Sequence, residues 1–374
     1  MIDVQHTYPL LRNLTLEAHQ MDYFNPLPLH IVHHQDCYGL PYKPINKGDI
    51  NIVGGGLRLA CSSGVGTLYD FDEQNSIEIT EDIIFVGHIS SVCWGHTITD
   101  STARLWWVAN NKHAKLRILP IFYISETPLC GNYLEFIKLL GIPENHLHRL
   151  VDITHFHSVY LPDVCFDNHR VSLKFSKEYV SLINKVLNHR SKIPLPKKIF
   201  LVKKNSRRQI CSEDVYKIIT KHGYVMIHPD ELSVPDQLSL FQNAESIISE
   251  ESSLSHNFIF CRDGTKVVIL RKANTINIYQ ALINQLRKLD VAYIDCHLSI
   301  MIKQRHRGPF FLYANKNFCE YFQEIEKTFP HEEFVLYLKN EGGENFWKTT
   351  LPLDVNYKEI IHELLMTHSE APES

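Results

Sequence analysis

The stretch KKIFLVKKNSRRQICSEDVYKIITKHGYVMIHPDELSVPDQLSLFQNAESIISEESSLSHNFIFCRDGTKVVIL, residues 197–270, decides the fold because short apolar runs alternate in it with amphipathic segments. Ser212 and the pair Ser233 and Asp236 have the pattern of helix N-caps. Strands that alternate with helices of about ten residues predict βαβ units and a parallel, doubly wound sheet. The predicted strands are 198–202, 224–228, 245–249 and 266–270, and the predicted helices are 212–223, 233–244 and 252–261.

Two loops of this region follow predicted strands and carry groups that suit an anion. Parallel sheets bind ligands at the carboxyl ends of their strands. A helix that opens with small residues offers free amides and a favourable dipole to a phosphate. Each loop alone is equally typical of a solvated basic loop or a serine cap, but together they predict a diphosphate site. The cations are Lys203, Lys204, Arg207 and Arg208, and the small residues are Ser252 and Ser253.

A second segment, SVCWGHTITDSTARLWWV at 91–108, places His96, Asp100 and Arg104 four residues apart. On a helix over 94–109 these side chains would share one side, with the apolar residues opposite. Trp107 would point to the polar side, which indicates that this side lines a cleft. An exposed ion pair between Asp100 and Arg104 is the simpler alternative.

The composition excludes several classes of protein. The chain has 374 residues and a net charge of −4, so it lacks the basic field of a nucleic-acid-binding protein. It begins without a signal-peptide pattern and contains no apolar run of membrane-spanning length, although a peripheral membrane contact stays open. Its nine cysteines stand apart without a CxxC pair, which is typical of reduced thiols in the cytoplasm.

The basic, proline-bearing stretch at 189–198 suggests a division into two domains, 1–190 and 191–374. Outside the regular region we expect a strand at 115–124 and helices at 131–141 and 176–189. Helices at 318–329 and 356–368 would end the chain, where they could pack back on the first domain or on a second copy of the chain.

These segments together resemble glycosyltransferase family 61 over about 85–110 and 197–270. The resemblance implies an inverting, nucleotide-sugar-dependent enzyme of the GT-B type, which is an α/β fold with two Rossmann-like domains facing across a cleft. The form Glu250-Glu251-Ser252 is nearer the bacterial branch than the Pro-His-Gly of the eukaryotic branch. Lys203 and Ser212 depart from the arginine and asparagine that are common in the family. The matching residues are His96, Asp100, Arg104-Leu105-Trp106, Arg207, Arg208, Glu213, Gly223, Leu232, Ser233, Gln237, Ser253, Leu254, Asn257, Phe260, Gly264 and Thr265.

The resemblance also implies a reaction and an organisation of the site. We expect transfer from a nucleotide sugar, a UDP-sugar foremost, to a surface glycan of the capsule or lipopolysaccharide type, free or linked to a lipid. The reaction would take place in the cytoplasm, either in solution or at the inner face of the membrane. The first domain would hold the acceptor and the second the donor. Asp100 is the expected base and His96 the second choice, with Arg104 and Trp107 on the acceptor side. The donor would contact Lys203, Arg207, Arg208, Glu251, Ser252, Ser253 and Asn257.

Two alternatives belong to other classes. A non-catalytic nucleotide-sugar-binding partner in a glycan-assembly complex would keep the donor loops without needing Asp100 or His96. A nicotinamide-dependent oxidoreductase is disfavoured because no GxGxxG motif follows the first strand of the regular region.

Candidate metal ligands are few, and we expect transfer without a metal or other cofactor. Asp70-Phe71-Asp72 has the DxD form of metal-dependent transferases. Because it lies far from the βαβ region in the sequence, we expect it to be an acidic surface turn. Two HxH pairs, His146/His148 and His155/His157, have no further ligand placed beside them by any motif, so we expect solvated or core roles for them.

Overall fold

The computed structural model describes residues 1–42, 52–53, 72–110, 119–167, 173–192, 194–203, 209–297, 310–330 and 332–333. The chain is a mixed α/β protein with two large sheets, which confirms the predicted class. The strands are β1 Ile2–Asp3, β2 Ile31–Gly39, β3 Ile52–Val53, β4 Ile77–His88, β5 Ile121–Ile124, β6 Leu147–Arg149, β7 Thr154–Pro162, β8 Phe166–Asp167, β9 Lys174–Phe175, β10 Lys198–Leu201, β11 Gln209–Cys211, β12 Val225–Ile227, β13 Ser246–Glu250, β14 Lys266–Arg271, β15 Asp290–Asp295 and β16 Phe310–Leu312. The α-helices are α1 Pro9–Gln20, α2 Trp94–Ile98, α3 Trp106–Asn110, α4 Gly131–Leu139, α5 Lys177–Leu187, α6 Glu213–Lys221, α7 Val234–Asn243, α8 Ile278–Leu286 and α9 Lys316–Phe322.

The sheet built from the regular region, here called the second sheet, is parallel throughout. Its order is β1-β15-β14-β13-β10-β12, and its predicted strands lie where the sequence placed them, within one or two residues at each end. The chain reverses direction across the sheet between β10 and β13. In open parallel sheets a ligand crevice forms at such a point, beyond the carboxyl ends of the strands.

Helices cover both faces of the second sheet. Phe200 and Ile248 face α6 and α9, whereas Ile199 and Ile247 face α7, α8 and a 3₁₀ helix at Ser255–Phe260. The alternation follows from the period of two in a strand, and burial on both faces explains why these strands are apolar throughout. The predicted helix at 318–329 is shorter in the structure, because Gln323 adopts a left-handed conformation that ends α9.

The first sheet is mixed and has the order β3-β2-β7-β4-β5-β6. β4, β5, β6 and β7 run parallel, while β2 runs antiparallel to both β7 and β3. Buried side chains of this sheet, such as Ile84 and Ile121, belong to the same continuous core as Ile199 and Ile247 of the second sheet. The carboxylate of Glu135 in α4 also accepts from the Val234 amide at the start of α7, at 2.9 Å.

The first residues of the chain pack on the second sheet, although the sequence-based division assigned them to the first domain. β1 pairs with β15, and the Tyr8 amide donates to Asp295 Oδ2 at 2.6 Å. In α1, the Thr15 hydroxyl accepts from the buried Arg271 guanidinium at 2.6 Å. The sequence also suggested that a late helix could pack back on the first domain. In the structure, the late helix α9 packs on β15 of the second sheet.

Several sequence expectations fall wholly or partly outside the described residues: the start of the strand at 115–124, the helix at 356–368, the first two residues of Asp70-Phe71-Asp72, and three cations of the basic loop, Lys204, Arg207 and Arg208. Asp72 itself accepts from the Gln74 amide at 3.0 Å and caps an exposed 3₁₀ turn at Glu73–Asn75. None of the described helices is both long and apolar enough to cross a bilayer.

Candidate active site

The predicted helix over 94–109 is interrupted in the structure. α2 ends at Ile98, Thr99 adopts φ −112° and ψ −101°, and a 3₁₀ turn follows at Asp100–Thr102. The Thr99 hydroxyl lies 2.7 Å from the Gly95 carbonyl oxygen and 2.9 Å from Asp100 Oδ1. Threonine hydroxyls that bond nearby backbone and side-chain oxygens compete with regular helical structure. The hydrogen bonds of Thr99 therefore account for the break.

His96 and Asp100 nevertheless meet as the spacing predicted. His96 Nδ1 lies 2.9 Å from Asp100 Oδ1, and the side chain of His96 is 44% exposed whereas that of Asp100 is 2% exposed. The hydrogen bond to Asp100 and the charge of its carboxylate raise the pKa of His96 to about 9. The buried carboxylate of Asp100 thus bonds one ring nitrogen of His96, and this contact fixes the tautomer and the orientation of the imidazole.

Arg104 and Trp107 do not line an open cleft as the sequence predicted. The Arg104 guanidinium is buried and donates to the Pro162 carbonyl oxygen. Trp107 lies in the hydrophobic core, 8% exposed, with its ring 5.7 Å from that of Tyr160. The break at Thr99 changes the direction of the chain, so the residues after it no longer follow the helical register of His96.

On the second sheet, the segment after β13 forms a turn at 251–254 and then the 3₁₀ helix at Ser255–Phe260, where the sequence predicted an α-helix over 252–261. The Ser252 hydroxyl accepts from the Leu254 amide at 3.2 Å, and the Ser255 hydroxyl accepts from the Ser252 amide at 3.2 Å. Among the described residues the Ser253 amide has no such partner, so it remains available to an anion.

The two predicted halves of the site are in direct contact. Gly95 of α2 lies against the turn so closely that an added Cβ would approach His256 Nδ1 to 2.8 Å and Ser253 Cβ to 3.0 Å. The neighbouring Trp94 indole donates to Asn257 Oδ1 at 2.7 Å. The Asn257 amide group also donates to the Leu254 carbonyl oxygen at 3.1 Å. Asn257, expected to bind the donor, therefore joins α2 to the turn instead.

His256 lies at this junction. Burial, followed by the positive charge of His96, lowers its pKa to about 4, so the ring is neutral. Its Nε2 is 3.4 Å from the Asn277 side-chain nitrogen, while its buried Nδ1 has no partner among the described residues. A Cβ added at Gly95 would come within 2.8 Å of this nitrogen, so Nδ1 lies against α2.

Glu251 is buried next to this junction. Burial raises the pKa of its carboxyl, and the charges of Arg271 and Lys272 and the Asn277 amide act in the opposite direction. Buried carboxyl groups are stabilised by hydrogen bonds, which the hydroxyl groups of a sugar can supply. The structure therefore leaves open the sugar contact that the sequence suggested for Glu251.

The basic loop begins at the same sheet edge. β10 pairs with β13 in parallel with Leu201 opposite Ser249, so Lys203 and Glu251 each follow two residues after this pair. Lys203 is exposed. Lys204, Arg207 and Arg208 lie outside the described residues. This register places the start of the basic loop and the turn at 251–254 at the same edge of the sheet. The binding of a diphosphate there stays a prediction.

Sequence reasoning missed three groups around this junction: Lys272, whose charge acts on Glu251 and His256, Glu126, and His256 itself. Lys272 directly follows β14, so the rule that selected the other two loops could have found it. Glu126 follows β5; burial opposes its ionisation, but the contact with His88 at 3.1 Å and the Ser91 amide lower its pKa to about 2. Its charge also helps to raise the pKa of His96. His256 carried no signal in the sequence, because its burial arises only where α2 meets the turn.

Comparison with known proteins agrees with this geometry. Residues 94–268 match the family described as Glycosyltransferase 61, a range that begins at Trp94 of α2 and ends within β14. The match thus encloses both segments that meet at Gly95. The search of curated proteins returned no match. The family match covers just under half of the chain, and it supports membership of glycosyltransferase family 61 and a glycosyltransferase activity.

Proposed function

We propose that this glycosyltransferase inverts the anomeric carbon as it moves a sugar from a nucleotide donor to a surface glycan. The contact of α2 with the turn at 251–254 is the observation that carries the proposal. It brings α2, which carries the half-exposed imidazole of His96 backed by the Asp100 carboxylate, to the turn at which we expect the diphosphate to bind. Such a transfer needs a proton acceptor on one side of the anomeric carbon and a phosphate clamp on the other.

His96 would take the proton in this proposal, with Asp100 as its positioning residue. The acceptor hydroxyl loses its proton to His96 Nε2 while its oxygen forms a bond to the anomeric carbon. The bond from that carbon to the phosphate oxygen breaks, and its electron pair leaves with the nucleoside diphosphate. The sequence made Asp100 the first choice of base. The side chain of His96 is 44% exposed and that of Asp100 is 2% exposed, which favours His96 as the base and Asp100 as its positioning residue.

The departing diphosphate would be bound by Lys203, Arg207, Arg208 and the backbone amides of Ser252 and Ser253. Of these two amides, that of Ser253 has no hydrogen-bond partner among the described residues. Glu251 would hold a hydroxyl of the donor sugar. Because side chains and amides supply this charge compensation, we propose that transfer needs no metal at the reaction centre. Turnover that persists in excess EDTA would support this, and loss restored only by Mg²⁺ or Mn²⁺ would overturn it.

The donor and acceptor classes complete the proposal. We propose a UDP-sugar as donor and a capsule or lipopolysaccharide glycan as acceptor, used in the cytoplasm at the inner face of the membrane. A mass-spectrometric screen for slow hydrolysis of a panel of nucleotide sugars tests the donor without requiring the acceptor. We expect one UDP-sugar to be hydrolysed. A panel in which nucleotide sugars bind but none is consumed, even with candidate glycans added, would favour the non-catalytic partner.

A further inference from the structure

The first sheet carries a second cluster of functional side chains, far from the candidate active site. Glu78 of β4 lies opposite His155 of β7 in the parallel register, and His157 follows on the same face. Glu78 Oε2 lies 2.8 Å from His155 Nδ1 and 2.9 Å from His157 Nε2. The three ligand atoms all lie within 4.8 Å of one another. The sequence showed only the His155/His157 pair; pairing of β4 with β7 supplies the carboxylate.

We propose that Glu78, His155 and His157 bind a divalent late transition-metal ion, with Zn²⁺ as the ion that fits best. Two imidazole nitrogens and a carboxylate oxygen are the ligand set of open tetrahedral zinc sites, where water completes the coordination. Imidazole ligands favour zinc, copper and nickel ions over magnesium and calcium ions. Bonds of about 2.1 Å in a tetrahedron place the ligand atoms about 3.4 Å apart. The two distances to Glu78, of 2.8 and 2.9 Å, need to widen by only about half an ångström, and the two histidine nitrogens lie within 4.8 Å of each other.

The surroundings of His155 fit a metal ligand. With Nδ1 toward the ion, its Nε2 faces Asp36 Oδ1 at 3.9 Å, so the carboxylate can orient the ring from behind. The Tyr38 ring stacks on His155 with the centroids 4.6 Å apart. Asp36 and Tyr38 lie on β2, so the site would join three neighbouring strands of the first sheet.

This site cannot take part directly in sugar transfer. Glu78 lies near the amino end of β4, and the segment that leads to α2 leaves the other end, after His88. Ten residues of strand correspond to about 30 Å. The ion would therefore stabilise the β2-β7-β4 pairing, and the proposal is independent of the proposed catalytic chemistry.

Calorimetric titration of metal-stripped full-length protein with Zn²⁺ tests the proposal. We compare the parent with Glu78→Gln and His157→Asn, whose side chains are 56% and 45% exposed, so the core stays intact. The matched control is His148→Gln, from the other HxH pair, whose ring stacks on Phe122. We expect the parent and the control to bind one more Zn²⁺ than either variant. Since loss of an orienting partner alone costs about 10–100-fold in affinity, loss of a direct ligand should cost more.

A second readout separates a built site from scattered surface histidines. Co²⁺ in place of Zn²⁺ should give the visible absorption of a tetrahedral ion in the parent and control but not in Glu78→Gln. Melting without metal should be the same for all four proteins, and Zn²⁺ should raise the melting temperature only of the parent and the control. Equal stoichiometry in the parent and Glu78→Gln would overturn the proposal, as would displacement of Zn²⁺ by equimolar Mg²⁺.

Discussion

At the scale of single residues, the four-residue spacing of His96 and Asp100 was informative because it specified a contact within one turn. The spacing could not show which of the two faces solvent, since that depends on the break at Thr99 and on the elements that cover Asp100. Arg104 and Trp107 were placed wrongly on the cleft face for the same reason: a helical register persists only as long as the helix.

The first residue-scale prediction separates catalysis from donor binding. Asp100→Asn keeps the shape of the side chain but removes the negative charge behind His96, and His96→Gln removes the proton acceptor. Loss of a general base typically lowers the rate by about 10²–10⁴-fold. Above pH 9, where His96 is neutral with or without the carboxylate, His96→Gln should therefore lose at least about 100-fold in turnover. Asp100→Asn keeps the proton acceptor and should lose less, through the orientation of the ring. Nucleotide affinity by calorimetry should change by less than about threefold in both.

The fold of Asp100→Asn needs its own control, because Asp100 is buried rather than exposed. Thermal melting should show a cooperative transition in both variants. If both bind and turn over normally, the pair is structural. If only His96→Gln is inactive, the carboxylate is dispensable and His96 acts alone.

The pKa of His96 gives a second residue-scale prediction. A base must be neutral to accept a proton, so turnover should rise with pH and level off above about 9. In Asp100→Asn the His96 resonance in an NMR titration should shift from a pKa of about 9 toward the ordinary value of 6.5. A turnover that falls as pH passes 9 would instead assign His96 as a cation for the departing diphosphate.

The same shift affects stability. Folding raises the pKa of His96 from its ordinary value of 6.5 to about 9. The contribution of His96 to the free energy of unfolding is therefore complete below pH 6.5 and is lost as the pH rises through about 9.

At the scale of elements, the sequence predicted four of the six strands of the second sheet, β10, β12, β13 and β14, because apolar periodicity and turn signals mark them locally. The predicted cap at Ser212 makes no side-chain hydrogen bond, whereas the cap of α7 is formed. Ser233 accepts from the Asp236 amide at 3.3 Å as the capping pattern required. The segment after β13 was less predictable. Its hydroxyls bond within the turn and favour a 3₁₀ helix, and its contact with α2 depends on packing between elements far apart in sequence.

Gly95→Ala tests the contact of α2 with the turn. The new methyl group would meet Ser253 and His256 at distances that require one segment to move. A misplacement of about 1 Å can cost on the order of 100-fold in rate, so turnover should fall strongly although no reacting group is removed. Val92→Ala, just upstream and 62% exposed, is the matched control. Normal turnover of Gly95→Ala would show that the close contact is not required for transfer.

The basic loop is tested by replacing Arg207 and Arg208 together with alanine. Lost charge-assisted hydrogen bonds should weaken binding of UDP by roughly 2–4 kcal/mol in calorimetry. Lys192→Ala, in the linker, provides a control for the general loss of positive charge. An unchanged dissociation constant in the double variant would remove the phosphate role of this loop.

At the scale of the whole molecule, the sequence predicted the α/β class but not the placement of the chain's first residues. β1 is only two residues long, and its partner β15 lies at the other end of the described chain. Periodicity cannot detect so short a strand, and pairing over such a separation leaves no local signal. Glu78 and His155 show the same limit, since only the sheet brings them together.

Thr15→Val tests how strongly the first residues hold the second sheet. The Arg271 side chain is fully buried, bonds Asp295 at 2.8 Å and donates to the Thr15 hydroxyl. Leaving one of its donors unpaired should lower the free energy of unfolding by about 1–3 kcal/mol. Urea denaturation measures this, with the exposed Thr220→Val as control. Equal midpoints for the two variants would mean that Arg271 does not depend on α1.

The pairing of β1 with β15 also bears on how the chain is made. Tyr8 and Asp295, which bond directly, are 287 residues apart. At the usual speed of translation, the first of them leaves the ribosome about 15–60 s before the second. During that interval α1 has an apolar face but no sheet to cover. The first sheet can form on the ribosome as its strands emerge, whereas the second is completed only after nearly all of its residues have been synthesised, when the oldest part of the chain docks against one of the newest.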